Sequence, residues 1–444
     1  MIKAEPAIKV GVLDHRGEVR GNCKGGFLVS GDLVHAGAFH AQASNGAIVL
    51  KNQLGEEICR AREIHFQNVS HSNFTLHEVL IGIDFHWERM EEQAFPGDLR
   101  LILREGGTIA AINEVSVEDY LASVISSEMS AGGPLELLKA QAITSRSWLV
   151  AMLERESSKQ QREQTSQRTI QREGELIRWY DREDHDLFDV CADDHCQRYQ
   201  GVTKIISPAA AEAVRATRGV FLIFENEICD ARYSKACGGL SENFENTWEE
   251  TPVPYLRCIS DAEHRHPPLR SAVEAEHWIL SQPNAFCNTS DGEILRQILP
   301  SFDQETTDFY RWTATYAQEE LQEILRHKSG MEFGTVLDLV PVQRGPSGRI
   351  IRLKIVGTKQ TLLVGKELEI RRWLSNSHLY SSAFVVRIER DANDVPTRFI
   401  LRGAGWGHGV GLCQIGAAVM AMNGYEAEDI LQHYFCGTQL KKLY

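Results

Sequence analysis

Residues 117–130 read VEDYLASVISSEMS, an apolar stripe that closes on a carboxylate. Ser116 followed by Asp119 is an S-x-x-D start signal related to the capping box, so a helix is expected to begin there. Val117, Tyr120, Leu121, Val124 and Ile125 then recur at the spacing of a single helix face. Glu128 lies eleven residues after Val117, and eleven steps of about 100° return to within roughly 20° of the start. The stripe requires a core to pack on, and that core must accept Glu128 one turn beyond Val124. Desolvation and the partial negative charge at the helix C-terminus both disfavour an anion there. The Glu128 carboxyl is therefore expected to stay neutral to higher pH than an ordinary glutamate, which suits it to donate a proton to a leaving group. The plainer alternative is a carboxylate at the rim of the core, paired with a cation.

GGP at 132–134 makes a turn, with Pro134 suited to open a second helix. Leu135, Leu138, Ala142, Leu149 and Met152 mark its buried side. Lys139 and Arg146 are seven residues apart, which puts them on one face about 10 Å apart along the axis. They either form a solvated charged face or hold a carboxylated substrate beside Glu128.

A chain of 444 residues is too long for one typical core, so two or three packed units are expected. Its net charge of −14 argues against nonspecific binding to nucleic acid or to an anionic membrane surface. No apolar run has the length of a membrane span. The opening MIKAEPAIKVGVLD lacks the apolar stretch of a secretory signal, so the chain as written is expected in the cytosol unless a leader is removed or another export route operates. The ten cysteines are too dispersed for a disulfide scaffold and are read mostly as buried thiols.

The expected class is α+β. A β-rich region over 1–107 rests on short apolar runs such as IKVGVLD, AIVLKN and LRLIL between Gly, Asn and Asp turns. A mixed helix and sheet domain follows over 108–444. It carries a polar, Gln- and Arg-rich insertion at 154–175 and an inserted α+β subdomain at about 300–375.

Three further stretches carry candidate chemistry. GAGWGHGVG, 403–411, has glycine at every second position. If it is extended, one face is bare backbone and the other carries Trp406 and His408. Trp406 would stack on a sugar ring, His408 would bind substrate or orient Glu128, and Gln414 just beyond would donate a hydrogen bond to substrate. The plainer reading is a tightly packed bend with a structural histidine. YSKACGG places Ser234 beside a glycine turn. No G-x-S-x-G elbow accompanies it, so a serine hydrolase is rejected. HDLFDVCADDHCQRYQG holds His185, Cys191, His195 and Cys196. These are enough ligands for tetrahedral zinc, although adjacent His195 and Cys196 require an irregular turn. Buried thiols with a surface histidine are the alternative, and a zinc hydrolase centred there is a third function class.

VEDYLASVISSEMSAGGPLELLKAQAITSRSW resembles the signature of the SpoIID/LytB family, the stage II sporulation protein D group. ARYSKACGGLSENFENTW, PSGRIIRLKIVGTKQTLLVGKELEIRRWL and GAGWGHGVGLCQIGAAVMAMNGYEAEDILQHYFCGTQLKKLY agree in the family's order. Together the blocks cover most of 109–444. The resemblance implies a lytic transglycosylase that cleaves the bond between N-acetylmuramic acid and N-acetylglucosamine in peptidoglycan strands. Glu128 would be its general acid/base and 108–444 its catalytic domain. It maps the family's Lys and Arg onto Lys139 and Arg146, and a frequent family serine onto Ser234. It also implies zinc near 185–196, as a structural ion rather than a cofactor of the chemistry. LytB-type members imply the alternative: a noncatalytic wall-binding protein that enhances a partner amidase. Either role belongs in the cell envelope or periplasm, at odds with the missing signal.

Overall fold

Alternating burial marks several of the strands built from the first hundred residues. In Asp98–Leu103, for example, Leu99, Leu101 and Leu103 face inward and every other residue faces out. The computed structural model describes residues 2–444 except 32, 70, 84–87, 131, 160–168, 180–184, 206, 300–303 and 305. Among the described residues, eleven strands form the N-terminal sheet. One edge runs Val190–Cys191, Ala7–Arg16, Ile109–Ser116 and Asp98–Leu103, and the other ends at Glu57–Ala61. Phe27, Phe39, Phe66, Phe74 and Phe95 fill its core.

The sheet crosses the boundary expected at 107. Ile109–Ser116 pairs antiparallel with Ala7–Arg16 and Asp98–Leu103, because Ile109, Ala111 and Val115 join the same core. This strand leads directly into α1, Val117–Glu128. Ser116 caps α1 by accepting the Asp119 N–H at 3.1 Å. Asn113 in the strand accepts from Tyr199 Oη at 2.6 Å and donates to the Pro96 and Asp98 carbonyls.

The second helix, α2, spans Leu135–Lys159. Residues 140–152 are buried on every side. Leu138, Leu149 and Met152 face the N-terminal core. Leu137, Ala140 and Ile143 face a second core shared with helices Gln414–Met422 and Ala427–Tyr434. Gln141, Thr144, Ser145, Arg146 and Ser147 are buried along with the apolar residues, so this helix runs through the interior rather than along the surface.

The polar segment expected as an insertion at 154–175 divides into parts. Its start continues α2, and 160–168 lies outside the described residues. Its end forms a hairpin, Thr169–Arg172 with Glu175–Arg178, turning at Gly174 with φ +75°. Glu175–Arg178 lies parallel to Thr361–Gly365, and Leu176 enters the third core. That core also extends beyond the 375 expected. A five-stranded sheet is joined there by the three strands Arg311–Ala317, Pro396–Ala404 and Phe384–Arg390 around Trp312, Leu353, Trp373 and Phe399. The architecture is α+β with a β-rich N-terminal region. Among the described residues no helix is long and apolar enough to cross a membrane.

Replacing Asn113 by Ala strands the buried Tyr199 hydroxyl and two half-buried carbonyls. Unfolding in urea should show a loss of roughly 2–4 kcal/mol with an unchanged slope.

Candidate active site

Glu128 is the last residue of α1, and part of its surface stays exposed. The helix end is closed from outside by Arg198. Its main-chain N–H donates to Glu128 Oε1 at 3.0 Å, and its guanidinium donates to the Ser127 carbonyl at 3.3 Å and to Asp194. Tyr233 Oη also donates to Glu128 Oε1, at 3.3 Å. Among the described residues no donor reaches Oε2. Burial raises the Glu128 pKa, and this outweighs the attraction of Arg198. The nearby Asp194 charge adds to the rise.

The segment that supplies Arg198 is clasped to both site helices. The Gln200 N–H donates to Ser123 Oγ at 3.1 Å, Gln197 Nε2 to the Ser145 carbonyl at 3.4 Å, and the Tyr199 ring stacks on Tyr120 at 5.0 Å. Just upstream lie His185, Cys191, His195 and Cys196, whose four ligand atoms all fall within 4.8 Å of one another. Cys196 Sγ is 3.5 Å from His185 Nε2 and 3.4 Å from His195 Nδ1, and Cys191 Sγ is 3.8 Å from His195 Nδ1. A zinc tetrahedron has S···N edges of roughly 3.5 Å, so the donor set fits that ion. The irregular turn required at His195–Cys196 is present, closed by the Cys196 N–H on the Asp193 carbonyl at 3.1 Å. Hydrogen bonds from Cys196 and the two histidines hold the Cys191 thiol down at about 2, in its ligating thiolate form. The cluster is tied to the N-terminal sheet where Cys191 pairs with Gly11.

The 403–411 stretch departs from the extended form expected. Only 403 and 404 remain in a strand, and Gly405, Gly407, Gly409 and Gly411 take φ of +75°, +96°, +75° and +74°. The left-handed residues break the two-residue alternation, so Trp406 and His408 do not share a face. A Cβ on Gly409 would strike the guanidinium of Arg349. That buried arginine binds the Cys237 and Gly407 carbonyls at 3.1 Å each, fastening the loop to the CGG turn. Trp406 has one ring face stacked on Tyr380 at 4.1 Å. His408 Nδ1 accepts the Val410 N–H at 3.0 Å. Burial and the guanidiniums of Arg232, Arg371 and Arg349 push the His408 pKa well below the usual value, so the ring is neutral. It bonds the Tyr233 backbone, and so lies behind the residue that touches Glu128.

Ser234 is buried beside Cys413 in a two-residue parallel pairing, and Gln414 follows. Ser234 Oγ and Gln414 Nε2 are buried without a hydrogen-bond partner among the described residues. Lys139 pairs with Glu136 at 2.7 Å.

Arg146 corrects the expectation of a substrate-facing cation. It is completely buried, makes a two-pronged pair with Glu118 at 3.0 and 2.7 Å, and donates to the Val220 carbonyl. Its turn of α2 faces α1 and the Val220–Phe224 strand rather than an opening, because α2 is covered all round. Two residues that sequence reasoning did not select matter more. Tyr233 was visible in YSKACGG but looked like a neighbour of Ser234. Arg198 sits in a loop with no periodic signal. A cavity of about 610 Å³ lies on the N-terminal sheet among Arg20, His40, His77 and Glu91, and none of these candidate residues lines it.

A family profile described as stage II sporulation protein matches residues 105–224, and a domain of unknown function (DUF8618) matches 242–411. The stage II sporulation protein D of Bacillus subtilis is 23% identical over 75% of this chain and 76% of its own length. That of Bacillus amyloliquefaciens is 22% identical over the same shares. An uncharacterized protein of Brachyspira hyodysenteriae is 24% identical over 98% of this chain and 92% of its own length.

Arg146→Ala leaves Glu118 buried without its cation and should cost roughly 3–5 kcal/mol in chemical denaturation. Lys139→Ala should cost less than about 1 kcal/mol. Elemental analysis of the purified protein should find zinc, and a Cys191→Ser, Cys196→Ser variant should lose about one equivalent. Equal zinc in both proteins would remove the ion from 185–196.

Proposed function

This chain belongs to the SpoIID family, whose members have cell-wall-related functions, and we propose that it is a lytic transglycosylase of peptidoglycan glycan strands. The observation that carries the proposal is the asymmetry of the Glu128 carboxyl. Among the described residues Oε1 accepts two hydrogen bonds and Oε2 accepts none, which leaves Oε2 as the oxygen to carry the acid proton and give it to the glycosidic oxygen. Burial raises its pKa, so that proton is held to higher pH than on an ordinary glutamic acid.

Glycosidases that use external water commonly flank the bond with two carboxylates. Here Asp194, the acidic neighbour that raises the Glu128 pKa, is engaged by Arg198. A single carboxyl suffices for the transglycosylase. Oε2 gives its proton to the leaving N-acetylglucosamine oxygen as the muramyl C1–O bond breaks. The resulting carboxylate then takes the proton of the muramyl C6 hydroxyl, whose oxygen bonds to C1 and closes a 1,6-anhydro ring. The Arg198 N–H and Tyr233 hydroxyl stabilise the carboxylate between the two transfers. The buried Ser234 Oγ and Gln414 Nε2 are read as substrate-binding groups, together with Trp406 once its ring meets a sugar. His408 holds the Tyr233 backbone. Lys139 remains the candidate partner for the lactyl carboxylate, whereas the burial of Arg146 leaves it a scaffold role.

His185, Cys191, His195 and Cys196 would hold zinc, which here supplies rigidity rather than activated water. The four ligands fix the start of 197–200, and that segment sets the position of the Arg198 N–H against Glu128.

Peptide-free glycan incubated with the protein should yield 1,6-anhydro ends by mass spectrometry, and Glu128→Gln should slow their release by about 10²–10⁴-fold. Tight binding with no anhydro product from the wild type would instead favour the noncatalytic, amidase-enhancing reading. Because the acid form is required and its pKa is raised, kcat/KM should hold to higher pH than for an ordinary glutamic acid and fall as pH rises through the Glu128 pKa. Tyr233→Phe removes a donor to the carboxylate, so that descending limb should move to higher pH. A limb unmoved in Tyr233→Phe would detach Tyr233 from the acid.

A further inference from the structure

Four other potential ligands converge deep in the second core. Cys237, Asp261, Cys287 and Cys413 are all buried, and one ligand atom of each lies within 4.8 Å of all the others. They come from separate parts of the chain: the CGG turn, two points in the loops between 258 and 288, and the residue that caps helix Gln414–Met422. We propose that these four side chains form a second, structural metal site for zinc or another borderline-soft divalent ion, independent of the His/Cys cluster and of the reaction proposed above.

The spacing matches an ion rather than a disulfide. Cys237 Sγ and Cys287 Sγ are 3.7 Å apart, whereas bonded sulfurs lie about 2.05 Å apart. With Zn–S near 2.3 Å, a tetrahedral S···S edge is roughly 3.8 Å. Three thiolates and one carboxylate oxygen complete four-coordination with no open position, the signature of a structural site.

The outer hydrogen bonds are those a metal ligand set needs. Cys413 Sγ accepts the N–H groups of Cys237 at 3.2 Å and Gly416 at 3.4 Å, at the N-terminus of its helix. Asp261 Oδ1 accepts from Tyr434 Oη at 2.6 Å, and Oδ2 from the Cys287 N–H at 2.9 Å. Each carboxylate oxygen keeps a further lone pair for the ion. Gly416 has no side chain because a Cβ there would collide with Asp261 and Tyr434. The surplus negative charge is offset by these N–H groups, by the helix N-terminus and by Arg311, which binds the Gly238 carbonyl at 3.2 Å. Binding releases the thiol protons to solvent.

The position gives the ion a task. Cys413 pairs with Ser234 and precedes Gln414, and Cys237 follows the Tyr233–Ser234 strand by three residues. Asp261 and Cys287 lie in the stretch matched by the uncharacterised domain. An ion would staple those parts together beneath the proposed cleft. Because every ligand is buried, it would load during folding and exchange slowly.

The test is metal release from the full-length protein refolded with zinc. About two equivalents are expected. A chelator should strip about one from the native protein, from the more exposed His/Cys cluster, and the second only when urea unfolds the chain. The Cys191→Ser, Cys196→Ser variant should keep the slow equivalent. Loaded with cobalt(II), it should show a thiolate-to-metal charge-transfer band. Cys287→Ser should lose the slow equivalent and keep the fast one. Release from the wild type in a single phase of about one equivalent would overturn the proposal even if either variant failed to fold. So would a metal-free protein whose mass under nonreducing conditions reveals a Cys237–Cys287 disulfide.

Discussion

The contact on which the site depends is the grip of Arg198 on the end of α1. A helix terminus leaves carbonyls without intrahelical donors and carries partial negative charge, so it is a poor place to end on a carboxylate. Arg198 meets both needs, with its guanidinium on the Ser127 carbonyl and its peptide N–H on Glu128 Oε1. The Arg198 charge, its N–H and the Lys235 charge all favour the carboxylate, and desolvation outweighs them, so the pKa stays raised.

That grip is only as firm as the segment that carries it. Residues 197–200 have no regular secondary structure and are fixed by side chains of other elements: Ser123 from α1, Ser145 from α2 and Asn113 from the N-terminal sheet. The His/Cys cluster fastens the same segment from its upstream side, where Cys191 pairs with the sheet edge. The strand Ile109–Ser116, α1 and this segment therefore behave as one mount. On the other wall, Tyr233 is held from behind by His408 and the Arg349-bound glycine loop. Two unrelated stretches of chain are thus brought to opposite sides of one carboxyl oxygen.

Much of the local structure was legible in the sequence. The cap at Ser116, the stripe from Val117 to Ile125 and the inward Glu128 follow from helical periodicity alone, and α1 ends where that reading puts it. The strand Val220–Phe224 and the helix Gln414–Met422 fall where their apolar runs lie. Periodicity misled where burial is not one-sided. Along α2, apolar and small residues surround Arg146, and a pattern read for one buried face left that arginine pointing outward. The glycine stretch misled for a different reason. Spacing gives the positions of the glycines and not their φ, and positive φ undoes the alternation from which a bare face was inferred.

The sequence by itself determined which residues could carry chemistry: one glutamate out of place on an apolar face, and a cluster of thiols and imidazoles close enough in the chain to meet. It also determined the α+β class, because periods of two and of about 3.6 residues are local properties of the chain. Only the tertiary structure decided what surrounds them. The donors to Glu128 come from 70 and 105 residues away, and the partner that buries Arg146 is 28 residues upstream. Contacts at such separations leave no periodic trace. They are set by how whole elements pack, and packing also decides which carboxyl loses its water.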